Sequence, residues 1–84
     1  MSVRVLFFAS LRDEVGTGEL EVSLPASTGL RDFISRLGEH LSSDALDALR
    51  AENVRVAVNQ DLISGELQIN PGDEVAFLPP VTGG

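Results

Sequence analysis

The sequence contains no cysteine and no lysine. Without cysteine there is no disulfide framework, no thiolate metal site and no thiol nucleophile. This fits a reducing compartment, and we expect a soluble, cytoplasmic protein. Without lysine, no chemistry on this chain uses an amine except at the α-amino group. Histidine occurs once, as His40. Neither a metal cluster nor a Ser-His-Asp arrangement is built around it by spacing to Ser10, Ser35 or Asp44, so it reads as a surface or helix-end residue. No apolar run approaches a membrane span, and MSVRVLFFAS shows no signal-peptide cleavage pattern. The formal net charge is −7, from six cationic and thirteen acidic side chains. Such a balance disfavours nucleic acid and anionic lipid and favours a protein partner that presents basic groups. The length, 84 residues, suffices for one domain with a thin core and no substrate cavity of its own.

The chain is nonetheless well patterned. Val3-Arg4-Val5-Leu6-Phe7-Phe8 is rich in β-branched and aromatic residues and predicts a strand. Asp13, Gly16 and Gly18 predict a loop. Glu19 to Leu24 alternates polar and apolar residues and predicts a second strand, hairpin-paired with the first and ended by Pro25. Gly16-Thr17-Gly18 superficially resembles a phosphate loop, but a strand pattern follows it where a helix is required. Ser27 or Thr28 is a suitable N-cap for a helix whose stripe is Leu30, Phe33, Ile34, Leu37 and Leu41, with Gly38 inside it or ending it. Ser43 to Arg50 reads as a second short helical turn capped by Ser43. Val54, Val56 and Val58 alternate with polar or small residues in a third strand. Asn59-Gln60-Asp61 turns, Leu62-Ile63 is briefly extended, Asn70-Pro71-Gly72-Asp73 turns again, and Glu74 to Leu78 forms the last strand. One helix over a mixed sheet in this order predicts an α+β, β-grasp (ubiquitin-like) fold. The expected organisation is a domain over residues 1–78 and a tail over 79–84.

Strand alternation assigns the faces. Val3, Val5, Phe7, Val54, Val56, Val58, Val75 and Phe77 are expected inward, under Leu30, Phe33, Ile34 and Leu37. Arg4, Leu6, Phe8, Ala57, Ala76 and Leu78 are expected on the opposite face, which a single helix leaves bare. Contiguous apolar surface there reads as a partner-docking patch. The carboxylate pairs Glu19 with Glu21 and Asp44 with Asp47 read as solvated faces. Arg12 reads either as a partner contact or as a loop decoration.

Pro79-Pro80 favours a stiff, extended conformation that holds Val81, Thr82, Gly83 and Gly84 away from the body. Gly83 and Gly84 lack Cβ atoms and can thread a narrow channel or lie close to a nucleotide. The useful atom of such an arm is the carboxyl carbon of Gly84. A carboxylate is a poor electrophile, and transfer of AMP from ATP in another protein's site would supply a leaving group.

Three blocks carry a family resemblance: Val5-Leu6-Phe7-Phe8-Ala9-Ser10-Leu11-Arg12, the Val58-Asn59-Gln60 turn, and Gly72 through Gly84. By these the sequence resembles the small, sulfur-carrier subunits of molybdopterin synthase. The resemblance implies that an E1-like enzyme adenylates Gly84, that a sulfur donor protein converts it to a thiocarboxylate, and that the tail enters the large synthase subunit. There its sulfur attacks cyclic pyranopterin monophosphate, and two transfers build the dithiolene. It implies a heterotetramer, no cofactor bound by this chain, and ATP used only in trans. Gly84 is then the reacting group and Gly83 gives access. Leu6, Phe8, Leu62 and Leu78 are docking candidates with Pro79, Pro80, Val81 and Thr82, Leu62 by the resemblance alone. Members usually carry an aromatic or other large apolar residue where Leu78 stands. The competing readings are a thiamin-pathway sulfur carrier, a protein modifier, and a ubiquitin-like binding module with an inert tail.

Overall fold

The computed structural model describes residues 2–63 and 66–79. Its elements are β1 (Ser2–Phe7), α1 (Ser10–Val15), β2 (Glu19–Ser23), β3 (Thr28–Gly29), α2 (Leu30–Leu37), α3 (Ser43–Leu49), β4 (Arg55–Val58), β5 (Asp61–Ile63), β6 (Gln68–Ile69) and β7 (Glu74–Leu78). Five strands form one sheet in the order β2-β1-β7-β4-β5, and β3 with β6 forms a second, two-stranded piece. β1 and β2 are antiparallel, as the hairpin pattern predicts, whereas β1 and β7 are parallel. The chain therefore crosses from the β2 edge, over one face, to β4 on the far side of β7. This is the β-grasp.

Alternation and burial agree along the central strands. Val3, Val5, Phe7, Val75 and Phe77 are almost wholly buried on the helix-covered face, together with Phe33 and Leu37. Phe7 and Phe77 are register partners on the parallel pair and stack with ring centroids 5.8 Å apart. Each ring fills the space beside the other at the centre of the core. Val54, Val58 and Leu30, expected inward, are only partly buried and pack at its margin. Leu11, Val22, Leu24, Ile34, Ala45, Leu49, Val56 and Ile69 complete the core.

The expected loop after β1 contains a helix. In α1, Leu11 is buried and Val15 packs on the core one turn later. A six-residue helix offers one such pair, too little for periodicity to reveal. Gly16 ends it at φ 94, with its N–H bonded to the Arg12 carbonyl at 2.9 Å. The entry is a tight turn in which the Leu11 N–H meets the Phe8 carbonyl at 3.0 Å. Ala9 sits in that turn at φ 49, where a Cβ is strained by about 1–2 kcal/mol.

Two caps differ from expectation. α2 begins after Gly29 with no side-chain cap, because Thr28 and Gly29 are engaged in pairing with Ile69 and Gln68. α3 is capped by Ser42, one residue before the expected Ser43, through the Ala45 N–H at 3.2 Å. Gly38 closes α2 in right-handed geometry, so conformational freedom is not its role. A Cβ there would lie 3.0 Å from the Ser35 carbonyl oxygen and 3.2 Å from Leu46 Cδ1, so the residue permits α3 to approach α2.

Candidate functional site

The face of the sheet opposite the helices carries one continuous row. Across the strands, Leu6 of β1 is the register partner of Ala76 in β7, Ala76 of Ala57 in β4, and Ala57 of Leu62 in β5. Successive residues on each strand point away, so only these side chains and those two positions along share the surface. The two alanines sit in the middle and are small. The flanking Leu6, Phe8, Leu62 and Leu78 are large. An open groove of about 460 Å³ results, with Ala57 and Ala76 as floor and the larger side chains as walls. The floor alanines are 7% and 8% exposed, against 45% for Phe8 and 67% for Leu62. The walls therefore hold apolar area that water still covers in the free chain, available to a partner.

The sequence-predicted docking residues are thus brought together: Leu6, Phe8, Leu62 and Leu78 all line this groove. Pro79 follows directly after β7 and is half-buried. Pro80, Val81, Thr82, Gly83 and Gly84, the remaining predicted site residues, lie outside the described residues. Ile63, next to Leu62, faces the other way: its register partner is buried Val56.

Polar groups rim the groove at one end. Arg4 and Glu74 are register partners, and the Arg4 guanidinium meets Glu19 through Nε at 3.1 Å and Nη2 at 3.2 Å. The hydrogen bonds to Glu19, its charge and, last, the charge of Glu74 raise the Arg4 pKa. The guanidinium stays fully charged, and both partners remain in solvent, so the pair shapes the rim more than it stabilises the fold. Among the described residues no polar or charged side chain is buried. No group of three or more His, Asp or Glu among them is placed to hold a metal. His40 is exposed. Arg12 lies along the Gly18 backbone, where a Cβ would come within 3.3 Å of its Cδ. No helix among the described residues is long and apolar enough to cross a membrane.

Gln60, like Glu74, lines the groove although the sequence reading did not place it on this face. It stands at the tip of the β4–β5 hairpin and reaches the groove beside Leu62. The available signal was its position in a two-residue turn, where glycine is the usual occupant.

The sequence model of the ThiS family matches residues 5–84. The chain belongs to the ThiS family. It is 40% identical to the molybdopterin synthase sulfur carrier subunit of Escherichia coli (strain K12), over 98% of this chain and 99% of that one. Among solved structures, SAMP1 from Haloferax volcanii aligns with a TM-score of 0.78 at 24% identity, covering 100% of both chains. A chain of the complex of subunits 1 and 2 of molybdopterin-converting factor from Helicobacter pylori 26695 aligns with a TM-score of 0.67 at 24% identity, again over 100% of both. These two likenesses establish the shared fold. The ThiS-family match spans every groove residue except Arg4.

Proposed function

We propose that this chain is the sulfur carrier subunit of a molybdopterin synthase. The observation that carries the proposal is 40% identity, over nearly the whole of both chains, to a protein of that name. The structure supplies a matching surface: an apolar groove on the bare sheet face, walled by Leu78 at the end of the strand that leads into Pro79 and the Gly-Gly tail.

In this reading residues 1–78 dock and residues 79–84 react. The groove binds the large synthase subunit, and Leu6, Phe8, Leu62 and Leu78 provide the contact. An E1-like enzyme couples the Gly84 carboxylate to AMP, with pyrophosphate leaving from ATP. Sulfide-level sulfur supplied by a donor protein then attacks the acyl carbon, the C–S bond forming as AMP leaves, and the product is a thiocarboxylate. Its sulfur is softer and more nucleophilic than a carboxylate oxygen, and it attacks cyclic pyranopterin monophosphate in the large subunit. The chain acts as the sulfur-donating half of the enzyme, with the general acid-base groups provided by its partners. Gly83 keeps the approach to the reacting carbon narrow.

The test is the intact mass of the chain after incubation with ATP, the activating enzyme and a sulfur donor. A gain equal to sulfur replacing oxygen, located at Gly84, is the expected result. Adding the large subunit and the pyranopterin then distinguishes this pathway from the thiamin one. No mass change, with partners shown active on another carrier, would remove the thiocarboxylate mechanism.

A further inference from the structure

The β4–β5 turn holds two non-glycine residues in left-handed conformations, Asn59 at φ 52 and Gln60 at φ 72. This is the pattern of a type I′ hairpin turn, in which asparagine suits the first position and glycine the second. Asn59 is accounted for by its bonds. Its Nδ2 donates to Asp73 Oδ1 at 3.1 Å, and its Oδ1 accepts from the Glu74 N–H at 3.0 Å. Its own N–H donates to the Glu74 carbonyl at 2.8 Å. These contacts fasten the hairpin tip to the start of β7 and hold the turn rigid.

Gln60 has no such account. It is exposed, and among the described residues its carboxamide makes no hydrogen bond within the chain. A glycine would hold the same turn with less strain. The side chain kept there instead lines the groove. Strain that the surroundings enforce, at a residue facing a binding surface, points to a role in binding.

We propose that Gln60 is a binding residue of the docking surface, its carboxamide pairing with a main-chain peptide group of the large-subunit segment seated in the groove. This rests on the reading of the groove given above. The floor and walls, made by Ala57, Ala76, Leu6 and Leu62, offer no side-chain polar atom. A protein segment laid on them still carries N–H and C=O groups that need partners once water is excluded. A carboxamide offers both a donor and an acceptor in the plane of one group, as a peptide does. Arg4 and Glu74, also on the rim, carry full charges and suit charged side chains better. The rigid turn holds Gln60 in place before the partner arrives, which lowers the ordering cost of the contact.

The experiment compares Gln60→Gly and Gln60→Glu with the parent in the full chain, reading both thermal unfolding and affinity for the purified large subunit. For Gln60→Gly the expected results run in opposite directions. Its melting temperature rises by about 4–8 °C as strain is relieved, while its affinity falls about tenfold as one hydrogen-bonding group is lost. Gln60→Glu keeps the shape but removes the donor, and its affinity falls as well. A residue that serves only the turn would show no loss of affinity on becoming glycine. Parent-like binding by Gln60→Gly therefore overturns the assignment, as does a lowered melting temperature. Leu78→Asp, measured alongside, separates the two levels. If it abolishes binding while Gln60→Gly binds normally, only the role of Gln60 fails. If neither variant weakens binding, the groove itself is not the docking surface.

Discussion

Leu62 and Ile63 are chain neighbours on opposite faces of β5, so truncating each to alanine separates docking from folding. Leu62 is 67% exposed in the free chain. Leu→Ala removes about three carbons, each worth about 0.8 kcal/mol when buried. If a partner covers the groove, about two thirds of that area becomes newly buried on binding, so the loss is about 1.6 kcal/mol, or roughly 15-fold in affinity. The same exposure means that the folded chain loses little, and unfolding stability should stay within about 0.5 kcal/mol of the parent. Ile63 is 36% exposed and lies across from buried Val56. Full burial would make Ile→Ala cost about 2–5 kcal/mol, so the partial burial here scales to about 1.5–3 kcal/mol of stability. Its affinity for the large subunit, measured where the variant remains folded, should change less than about twofold. Isothermal titration with the large subunit and urea unfolding of the free chain give the two readouts. The reasoning is refuted if Ile63→Ala weakens the complex as much as Leu62→Ala, or if Leu62→Ala costs stability and leaves affinity intact.

Ala76→Leu should fill the groove from its floor, lowering affinity at least about tenfold while changing stability by less than about 1.5 kcal/mol, since the new side chain enters open space rather than the core; titration and urea unfolding check both halves. Ala9→Gly should raise stability by about 1 kcal/mol in thermal or chemical unfolding, because the φ of 49 suits glycine better than alanine. Phe77→Ala removes a fully buried ring stacked on Phe7 and should cost about 3–5 kcal/mol, a large part of the total for a domain this small. Deleting Gly83 and Gly84 should leave titration with the large subunit near the parent value but abolish the mass gain on incubation with ATP, activating enzyme and sulfur donor.

Several features were legible in the sequence because they repeat with a period or carry a local turn signal. The alternation of Val3, Val5 and Phe7 with Arg4, Leu6 and Phe8 named both faces of β1. The stripe of Phe33, Ile34 and Leu37 named the covering helix. Pro71 with Gly72 marked a turn, and Gly72 does take φ 95 there. Features without a period were not legible. The helix α1 is too short to show one. The Ser42 cap lies beside an equally suitable Ser43, and the choice between them depends on how Ala45 and Leu49 meet the core. The pairing of β3 with β6 involves two residues on each side, below any sequence signal.

What the sequence determined by itself was the set of apolar residues on each face and the chemistry left possible at the Gly-Gly end. Side-chain alternation is a property of single strands and needs no partner to be read. The tertiary structure decided the groove. Leu6, Ala76, Ala57 and Leu62 come from four strands and align only because β1 and β7 pair in parallel while β4 pairs antiparallel on either side. Whether two alanines form a floor or are lost among larger neighbours depends on register, and register is set by contacts between residues far apart in the chain.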